Sequence, residues 1–367
     1  MSPHHPEPAT TPSPPQTGVT FTGDLWQFTK IWAVGVSLSL ITLGLYSPWA
    51  AVRIRRYLHG HLAIDGHRFR YLARPQQILK GRALAFTMLL VLALTNKVSG
   101  AFAAVNLILY LVAMPWLITS GLRFKMRCLS HRNVRFSFGG RYWGAARVLY
   151  LVPLLTLAVV LSLSGGGGEA ATLLLFAPIL MAAFFSFYHR FLLKNISYGD
   201  RPLTVKPSFL SYLLTSIMAF TIPALGTAPV ILVSAAAEGS AHHAEATQVA
   251  FFISLLLTLP LAYSIFKVRV RNRLFKASSF PGVATFESRA KIWEFTKLNA
   301  TNLLLMIATA GLGHPIVRFR QMKYLASVSE VKTGPEVDLV RDPREGAPGA
   351  FGEEAAELFS LELGVMG

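Results

Sequence analysis

The sequence contains a single cysteine, Cys128, among its 367 residues. One thiol excludes an intramolecular disulfide and any metal site built from several cysteines. Cys128 follows a basic run at the end of an apolar segment, where we expect the cytoplasmic face of a membrane and a reduced thiol. The sequence predicts no cofactor.

Charged residues are scarce, and acidic residues are the scarcest. Only 14% of residues are charged, against about a quarter in soluble domains, while 53% are hydrophobic and the mean hydropathy is +0.46. The 35 Lys and Arg residues outnumber 18 Asp and Glu residues and give a formal charge of +17. Because the basic residues flank apolar segments, we expect anionic lipids and not nucleic acid as their partner.

Eight apolar segments approach the roughly 20 residues that a membrane-spanning helix needs. They lie at 31–52, 83–99, 101–121, 148–164, 171–188, 211–237, 248–266 and 298–317. Three compact, weakly basic connections are predicted as external turns: 97–100, 165–168 and 238–245. These segments predict an all-α polytopic membrane protein.

Five apolar segments end in runs of Arg and Lys, which are retained on the cytoplasmic face. The runs are VRIRRYL at 52–58, LRFKMRCL at 122–129, YHRFLL at 188–193, FKVRVRNRLF at 266–275 and VRFRQMKYL at 317–325. Their candidate functional residues either anchor the topology or bind anionic headgroups: Arg53, Arg55, Arg56, Tyr57, Arg123, Arg127, Arg269, Arg271, Arg320 and Lys323. The first four share about one helical turn and form a candidate headgroup clamp.

Residues 25–58 align without a gap to residues 292–325, with matches such as Trp26/Trp293 and Pro48/Pro315. After the basic runs, alternating sequences such as VRFSF at 134–138 are typical of short strands. We therefore predict five repeated units with short β-rich cytoplasmic connections. Each unit begins with a strand and ends in a basic helix exit, and the middle three hold two helices each.

The two end units leave two topologies open. If both ends of each unit are cytoplasmic, the apolar segments 31–52 and 298–317 cannot cross the membrane fully. TLGLYSP at 42–48 and TAGLGHP at 309–315 interrupt the helix with Gly and Pro. The alternatives are six full spans with two re-entrant segments, or eight full spans with one basic run on the wrong face.

The motif TLGLYSPWAAVRIRRYLHGHLAIDGHRFRYL at 42–72, with RFSFGG at 135–140 and NISYG at 195–199, resembles the YjgN-like family of bacterial inner-membrane proteins, a domain of unknown function. The resemblance covers about 18–327 and implies a multi-pass inner-membrane protein without an assigned mechanism. The C-terminal copy departs from it, with GHPI at 313–316 facing YSPW at 46–49. The motif residues are Thr42, Gly44, Pro48, Trp49, Asp65, Gly66 and Phe69.

The domain organisation follows from composition. Residues 1–17 are rich in Pro and Thr and are predicted to be a disordered tail, not a cleaved signal. The membrane domain is predicted at 18–327. Residues 328–367 hold about half of all Asp and Glu residues and are predicted to be a mostly disordered acidic tail, which lies against the basic junctions or recruits a protein partner.

Histidines supply the other candidate chemistry. His59, His61 and His67 beside Asp65 suggest a metal site, but they lack the helical i,i+4 placement of a zinc-binding helix, so we expect interfacial hydrogen bonding and no metal. His242–His243 gives no stronger metal signal. His314 is the ionisable group inside an apolar segment, either a proton relay or a cap on the broken helix.

Two function classes remain. The apolar segments lack Asp, Glu, Lys and Arg near mid-bilayer, which disfavours ion-coupled transporters and intramembrane proteases. We expect a non-enzymatic scaffold or anionic-lipid-interacting module. The alternative is a transporter or channel for an amphipathic, lipid-like solute.

Overall fold

The computed structural model describes residues 18–95, 100–164, 169–237, 239 and 242–342. Within them, five helices are long and apolar enough to cross a membrane: Phe102–Arg127, Tyr142–Val159, Leu175–Lys194, Phe209–Ala236 and His243–Ala277. The predicted polytopic helical class is confirmed. The predicted N-terminal tail 1–17 and most of the three predicted external turns lie outside the described residues.

The helices of the described residues pair into five helical hairpins. In each hairpin a first arm leads away from the strands and a second arm returns to them. The arms are α1 (Leu25–Ile41) and α2 (Ser47–Gly60); α3 (Pro75–Thr95) and α4 (Gly100–Arg127); α5 (Tyr142–Ala146), a π-helical turn (Arg147–Leu151) and α6 (Val152–Ser164), with α7 (Glu169–Lys194); α8 (Phe209–Gly226) and α9 (Ala228–Ala236), with α10 (His243–Ala277); α11 (Ile292–Ala308) and α12 (His314–Ser327). Each second arm also packs against the first arm of the next hairpin, and α12 packs against α1.

Short strands separate the helical hairpins and together form the β layer. They are β1 (Val19–Phe21), β2 (Leu62–Ile64), β3 (His67–Arg68), β4 (Arg70–Tyr71), β5 (Leu129–His131), β6 (Val134–Phe138), β7 (Ile196–Tyr198), β8 (Arg201–Pro202), β9 (Thr204–Val205), β10 (Ser278–Phe280), β11 (Ala284–Ser288) and β12 (Ser329–Thr333). All pairings are antiparallel, and three sheets result, with orders β1-β2-β3, β4-β5-β6-β7-β8 and β9-β10-β11-β12.

The three sheets are linked into a closed ring. At Phe69 the chain changes partner: the Phe69 amide donates to Leu62, and the Leu72 amide donates to Cys128. A similar change occurs at Leu203. A single antiparallel bridge between Gly18 and Glu330 joins the N- and C-terminal strands. Because closure removes unpaired strand edges, these very short strands become stable in one layer.

The tight turns of the β layer explain two motif residues. Asp65 and Gly66 both have positive φ, +50° and +74°, as do Arg132 and Asn133 at the equivalent turn. Two consecutive positive φ values match the two-residue turn that suits the twist of a β-hairpin. Asp65 and Gly66 therefore have a structural role in setting the first β-hairpin.

Both end units contain a broken helix. Gly44 (φ +91°) interrupts the helix between α1 and α2, and Gly311 (φ +90°) interrupts it between α11 and α12. Thr42 Oγ1 donates to Leu38 O at 2.7 Å and accepts from the Tyr46 amide at 3.0 Å. Thr309 makes the same pair of bonds to Leu305 O and the Gly313 amide, both at 2.7 Å. The apolar segments 31–52 and 298–317 are therefore not continuous spans, and their two arms meet the β layer at both ends.

The depth of the first end hairpin follows from its length. From Lys30 to Ile41 the helix rises about 17 Å, little more than half of a hydrocarbon core of about 30 Å. Leu40, Ile41 and Leu43 at its tip are 72%, 77% and 95% exposed, as suits contact with acyl chains. This geometry favours the re-entrant topology over eight full spans.

The domain does not end at 327 as predicted. The chain continues as β12, which pairs with β11 over five residues, and then crosses the β-hairpin tips as far as Asp342. Val340 is 7% exposed and joins the main apolar cluster, which also contains Tyr198 and Phe266. Backbone pairing and apolar burial order this part of the predicted acidic tail, and residues 343–367 lie outside the described residues.

Candidate functional site: the basic junctions

The junctions are the last two turns of the second arms α2, α4, α7, α10 and α12, next to the β layer. Because every second arm runs into a strand of one closed ring, the five basic runs lie at one level around it. The structure thus brings together the candidate cations that are up to 270 residues apart in sequence. They differ, however, in what their side chains contact.

Some junction side chains join neighbouring helical hairpins. Arg56 Nη2 donates to Ala73 O at 3.0 Å, and Arg123 Nη2 donates to Gly140 O at 2.7 Å. At the equivalent place in the fourth hairpin, Asn272 Nδ2 donates to Ala290 O at 2.9 Å. Each carbonyl lies just before the next first arm. These residues therefore hold consecutive hairpins together.

Other junction arginines donate to hydroxyl groups. Arg55 donates to Tyr71 Oη at 2.9 Å, Arg271 to Ser329 Oγ at 2.8 Å and Arg320 to Thr301 Oγ1 at 2.9 Å. A neutral oxygen satisfies a guanidinium hydrogen without cancelling its charge. These contacts position the cations and do not themselves neutralise them.

The remaining candidate cations face outward to different degrees. Arg53 and Lys323 are exposed, and Arg127 and Arg269 are half-buried. Arg53 and Lys323 are thus the predicted residues best placed to reach a lipid headgroup.

Tyr57 does not join Arg53, Arg55 and Arg56 in a clamp. Its side chain is 9% exposed, and its hydroxyl donates to Asp24 O and accepts from the Asp24 amide, both at 2.8 Å. Tyr57 therefore connects the end of α2 to the start of α1. The hydroxyl of Tyr324 donates to Lys291 O at 3.4 Å in the last hairpin.

The other motif residues are also structural. Pro48 is fully buried at the start of α2, and Trp49 stacks on Tyr46 with 6.1 Å between ring centroids. Phe69 is 9% exposed and packs on His131 within the β ring at 4.9 Å. Together with the turn at Thr42 and Gly44, the motif specifies the helix break between α1 and α2 and the change of strand partner at Phe69.

The candidate histidines contact different partners. His61 Nδ1 lies 2.7 Å from Tyr57 O, and His67 Nδ1 lies 2.8 Å from Asp65 O. His59 stacks on Tyr71, and burial, together with the charge of Arg55, lowers its pKa to about 4. In the described ranges no group of three His, Cys, Asp or Glu residues could hold a metal.

His314 lies at the first position of α12, directly after the helix break. Its side chain is exposed and stacks with Trp32 of the first hairpin, with 6.2 Å between ring centroids. The residue thus joins the two end hairpins. Its position matches the helix-end alternative more closely than an enclosed relay.

Carboxylates in the β layer pair with arginines. Arg132 contacts Asp65 at 3.0 Å and Asp338 at 2.5 Å, and Arg201 contacts Glu336 at 3.0 Å. Asp338 and Glu336 belong to the C-terminal segment 334–342, which crosses the tips of the β-hairpins. Within the described residues, the acidic tail therefore contacts arginines at the β-hairpin tips.

Two features were missed in the sequence. Lys30 Nζ lies 4.9 Å from the Trp26 ring, and Lys297 Nζ lies 5.3 Å from the Trp293 ring. The Trp-x-x-x-Lys spacing on a helix could have identified both pairs. The second feature is a cleft between α8 and α10 whose cations, including Arg273, are far apart in sequence.

Comparisons with known proteins agree on a membrane protein. The model of a family described as a bacterial protein of unknown function (DUF898) matches residues 16–358. The inner membrane protein YjgN of Escherichia coli strain K12 is 31% identical over 144 residues, which cover 38% of this chain and 36% of that protein. The inner membrane protein YjgN of Salmonella typhimurium strain LT2 is 28% identical over 152 residues, 40% of this chain and 38% of that protein. The matched region thus spans little more than a third of these relatives, and no solved structure matches.

Proposed function

Because the chain belongs to the DUF898 family of bacterial proteins of unknown function, as its resemblance to YjgN-like inner-membrane proteins implied, we propose that it is a non-enzymatic inner-membrane scaffold whose junctions bind anionic lipid headgroups. The carrying observation is the partner chemistry of the junction arginines. Arg56 and Arg123 donate to neutral backbone oxygens, so their charge stays available to a lipid phosphate.

The surroundings of the junctions support this proposal. Trp26 and Trp293 are 65% and 63% exposed at the start of the two end hairpins, and each lies beside a lysine. Exposed Trp next to Lys or Arg is typical of the headgroup level of a membrane. Each cation near an anionic surface adds about 1 kcal/mol of attraction.

Binding of labelled lipids tests the proposal. We expect the purified full chain to bind fluorescent phosphatidylglycerol several-fold more tightly than phosphatidylcholine, and less so in high salt. The double variant Arg53→Gln, Lys323→Gln should reduce that preference by about tenfold. The matched control is Arg289→Gln, Lys332→Gln, which removes two cations that contact Glu287 in the β layer. An equal loss in the control, or no preference in the unaltered protein, would contradict the proposal.

We also propose that the scaffold is built from five copies of one unit. The element order supports five copies, since each of the first four helical hairpins is followed by a β-hairpin. The last is followed by β12, which the bridge between Gly18 and Glu330 links to the N-terminal strand. The end units add equivalent contacts 267 residues apart, such as Phe28 with Tyr57 at 5.6 Å and Phe295 with Tyr324 at 5.9 Å. Five similar junctions would give a ring of headgroup contacts.

Transport of an amphipathic solute is the second candidate. Asn302 in α11 is 4% exposed, and neither amide atom has a hydrogen-bond partner within the described residues. A buried unpaired amide is costly unless a solute or water satisfies it. If transport is the function, Asn302→Leu should abolish flux of a labelled lipid across proteoliposomes and leave phosphatidylglycerol binding intact.

A further inference from the structure

One position recurs at all five junctions, five residues before the strand that follows. Those strands begin at Leu62, Leu129, Ile196, Ser278 and Ser329. The recurring residue is aromatic at four junctions and is arginine at the fourth: Tyr57, Phe124, Phe191, Arg273 and Tyr324. The exception changes both the shape and the charge of the fourth junction.

The aromatic residues fill the space between the second arm and the first arm of their own hairpin. The ring of Phe191 covers Gly144, where an added Cβ would lie 2.6 Å from it. Phe124 is 1% exposed, and Tyr57 is 9% exposed. An apolar ring therefore closes these junctions.

Arg273 leaves the corresponding space open. Its guanidinium donates to Ser211 O and, at 2.9 Å, to Thr215 Oγ1, which holds it against α8. A cleft of about 230 Å³ remains between the start of α8 and the end of α10. Its polar lining comes from Lys206, Ser208, Ser211, Tyr212, Arg273 and Lys276.

The cleft is positively charged, and none of the described residues that line it is a carboxylate. Lys206 and Lys276 are brought side by side because Val205 pairs with Ser278 and the Lys206 amide donates to Ala277 O at 3.2 Å. Both lysines are exposed. Three cations around one cleft match a phosphate group, which carries negative charge and several acceptor oxygens.

The cleft also lies where a membrane span begins. The span Phe209–Ala236 starts at the cleft, and Leu210 and Leu214 on the adjacent face of α8 are 61% and 49% exposed. A ligand whose phosphate lies in the cleft therefore has an apolar path beside it. That combination of charge and apolar surface describes a phospholipid.

We propose that this cleft binds one anionic phospholipid, with its headgroup phosphate on Lys206, Arg273 and Lys276 and an acyl chain along Leu210 and Leu214. The inference rests on the proposed function, because it assigns one defined binding site within the general headgroup-binding surface. It differs from that surface in stoichiometry, since the cleft holds a single lipid.

Native mass spectrometry of the full chain, delipidated and titrated with phosphatidylglycerol, tests the site. We expect one tightly bound phosphatidylglycerol, whose affinity falls about tenfold or more in Lys206→Gln, Lys276→Gln. The matched control is Arg141→Gln, Lys194→Gln, which removes two exposed cations from the third hairpin, where Phe191 fills the junction. This control should retain the bound lipid. Arg273→Phe should lose the lipid, as the lysine double variant does. Because Lys206 and Lys276 are on the surface, their replacement leaves folding intact.

The outcomes separate the two proposals. If the lysine double variant and the control lose the bound lipid equally, or neither loses it, while phosphatidylglycerol is still preferred over phosphatidylcholine, the cleft is wrong and the general surface survives. If the unaltered protein has no such preference, both proposals fail. If glycerol 3-phosphate displaces the lipid at equal concentration, the site binds free phosphate compounds, and the commitment to a phospholipid is wrong.

Discussion

The β layer and the junctions both contain many arginines, but the two regions give them different partners. In the β layer Arg132 contacts Asp65 and Asp338, and Arg201 contacts Glu336. In the junctions Arg56 and Arg123 donate to backbone carbonyls. Among the described contacts, carboxylates compensate the charge of the first two arginines, and neutral oxygens bind the other two. The comparison indicates that the β layer uses its arginines to hold the ring closed, whereas the junctions keep a positive surface at the membrane.

The largest expected effect comes from breaking the pairs in the β layer. Arg132 is 14% exposed and contacts carboxylates from another β-hairpin and from the C-terminal segment. Within the described part of the chain, Arg132→Gln leaves the half-buried Asp65 carboxylate with only a long contact to Thr333, 3.4 Å away. We expect the free energy of unfolding to fall by about 2 kcal/mol, measured as a lower thermal midpoint in detergent.

An exposed pair in the same layer provides the control for that change. Arg289 is 66% exposed and contacts Glu330 at 3.2 Å. Arg289→Gln should cost less than about 0.5 kcal/mol because exposed ion pairs are screened by water. Equal losses in the two variants would show that closure of the ring does not depend on Arg132.

A smaller effect is expected where a junction arginine binds a carbonyl. Arg123→Gln removes the bond to Gly140 O and should lower the free energy of unfolding by about 1.5 kcal/mol. Arg53→Gln, at an exposed position of the first junction, should change stability by less than about 0.5 kcal/mol while it weakens lipid binding. Thermal unfolding and lipid titration of both variants measure this split. If Arg53→Gln destabilised the protein as much as Arg123→Gln, the division of the junctions into structural and headgroup-facing cations would be wrong.

The sequence predicted the two helix breaks but not the closed ring, for a physical reason. Basic runs beside apolar segments and the breaks at Gly44 and Gly311 are local signals, and both correspond to features of the structure. Closure depends on contacts between residues that are far apart, such as Gly18 with Glu330 and Arg132 with Asp338. Such pairs leave no periodic pattern. The partners of Tyr57 were missed for the same reason, since Asp24 lies 33 residues earlier in the chain.

Acidification gives the smallest of these expected effects, and a buried histidine of the β layer should contribute to it. The β layer contains His131, which is 6% exposed and packs on the ring of Phe69. Burial, assisted by the charge of Arg132, lowers the pKa of His131. The folded protein therefore keeps this imidazole neutral, while the unfolded chain takes up a proton below about pH 6.5, so stability is present above that pH and is lost as the pH falls. At pH 6 the loss should stay below about 1 kcal/mol for this group.

The thermal midpoint between pH 7.5 and 6 should decline less in His131→Gln than in the unaltered protein. In His242→Gln, which changes an exposed histidine, the midpoint should decline as it does in the unaltered protein. If the thermal midpoint of His131→Gln declined as much as that of the unaltered protein, other groups would cause the pH sensitivity. His131 would then not be the group whose protonation destabilises the β layer.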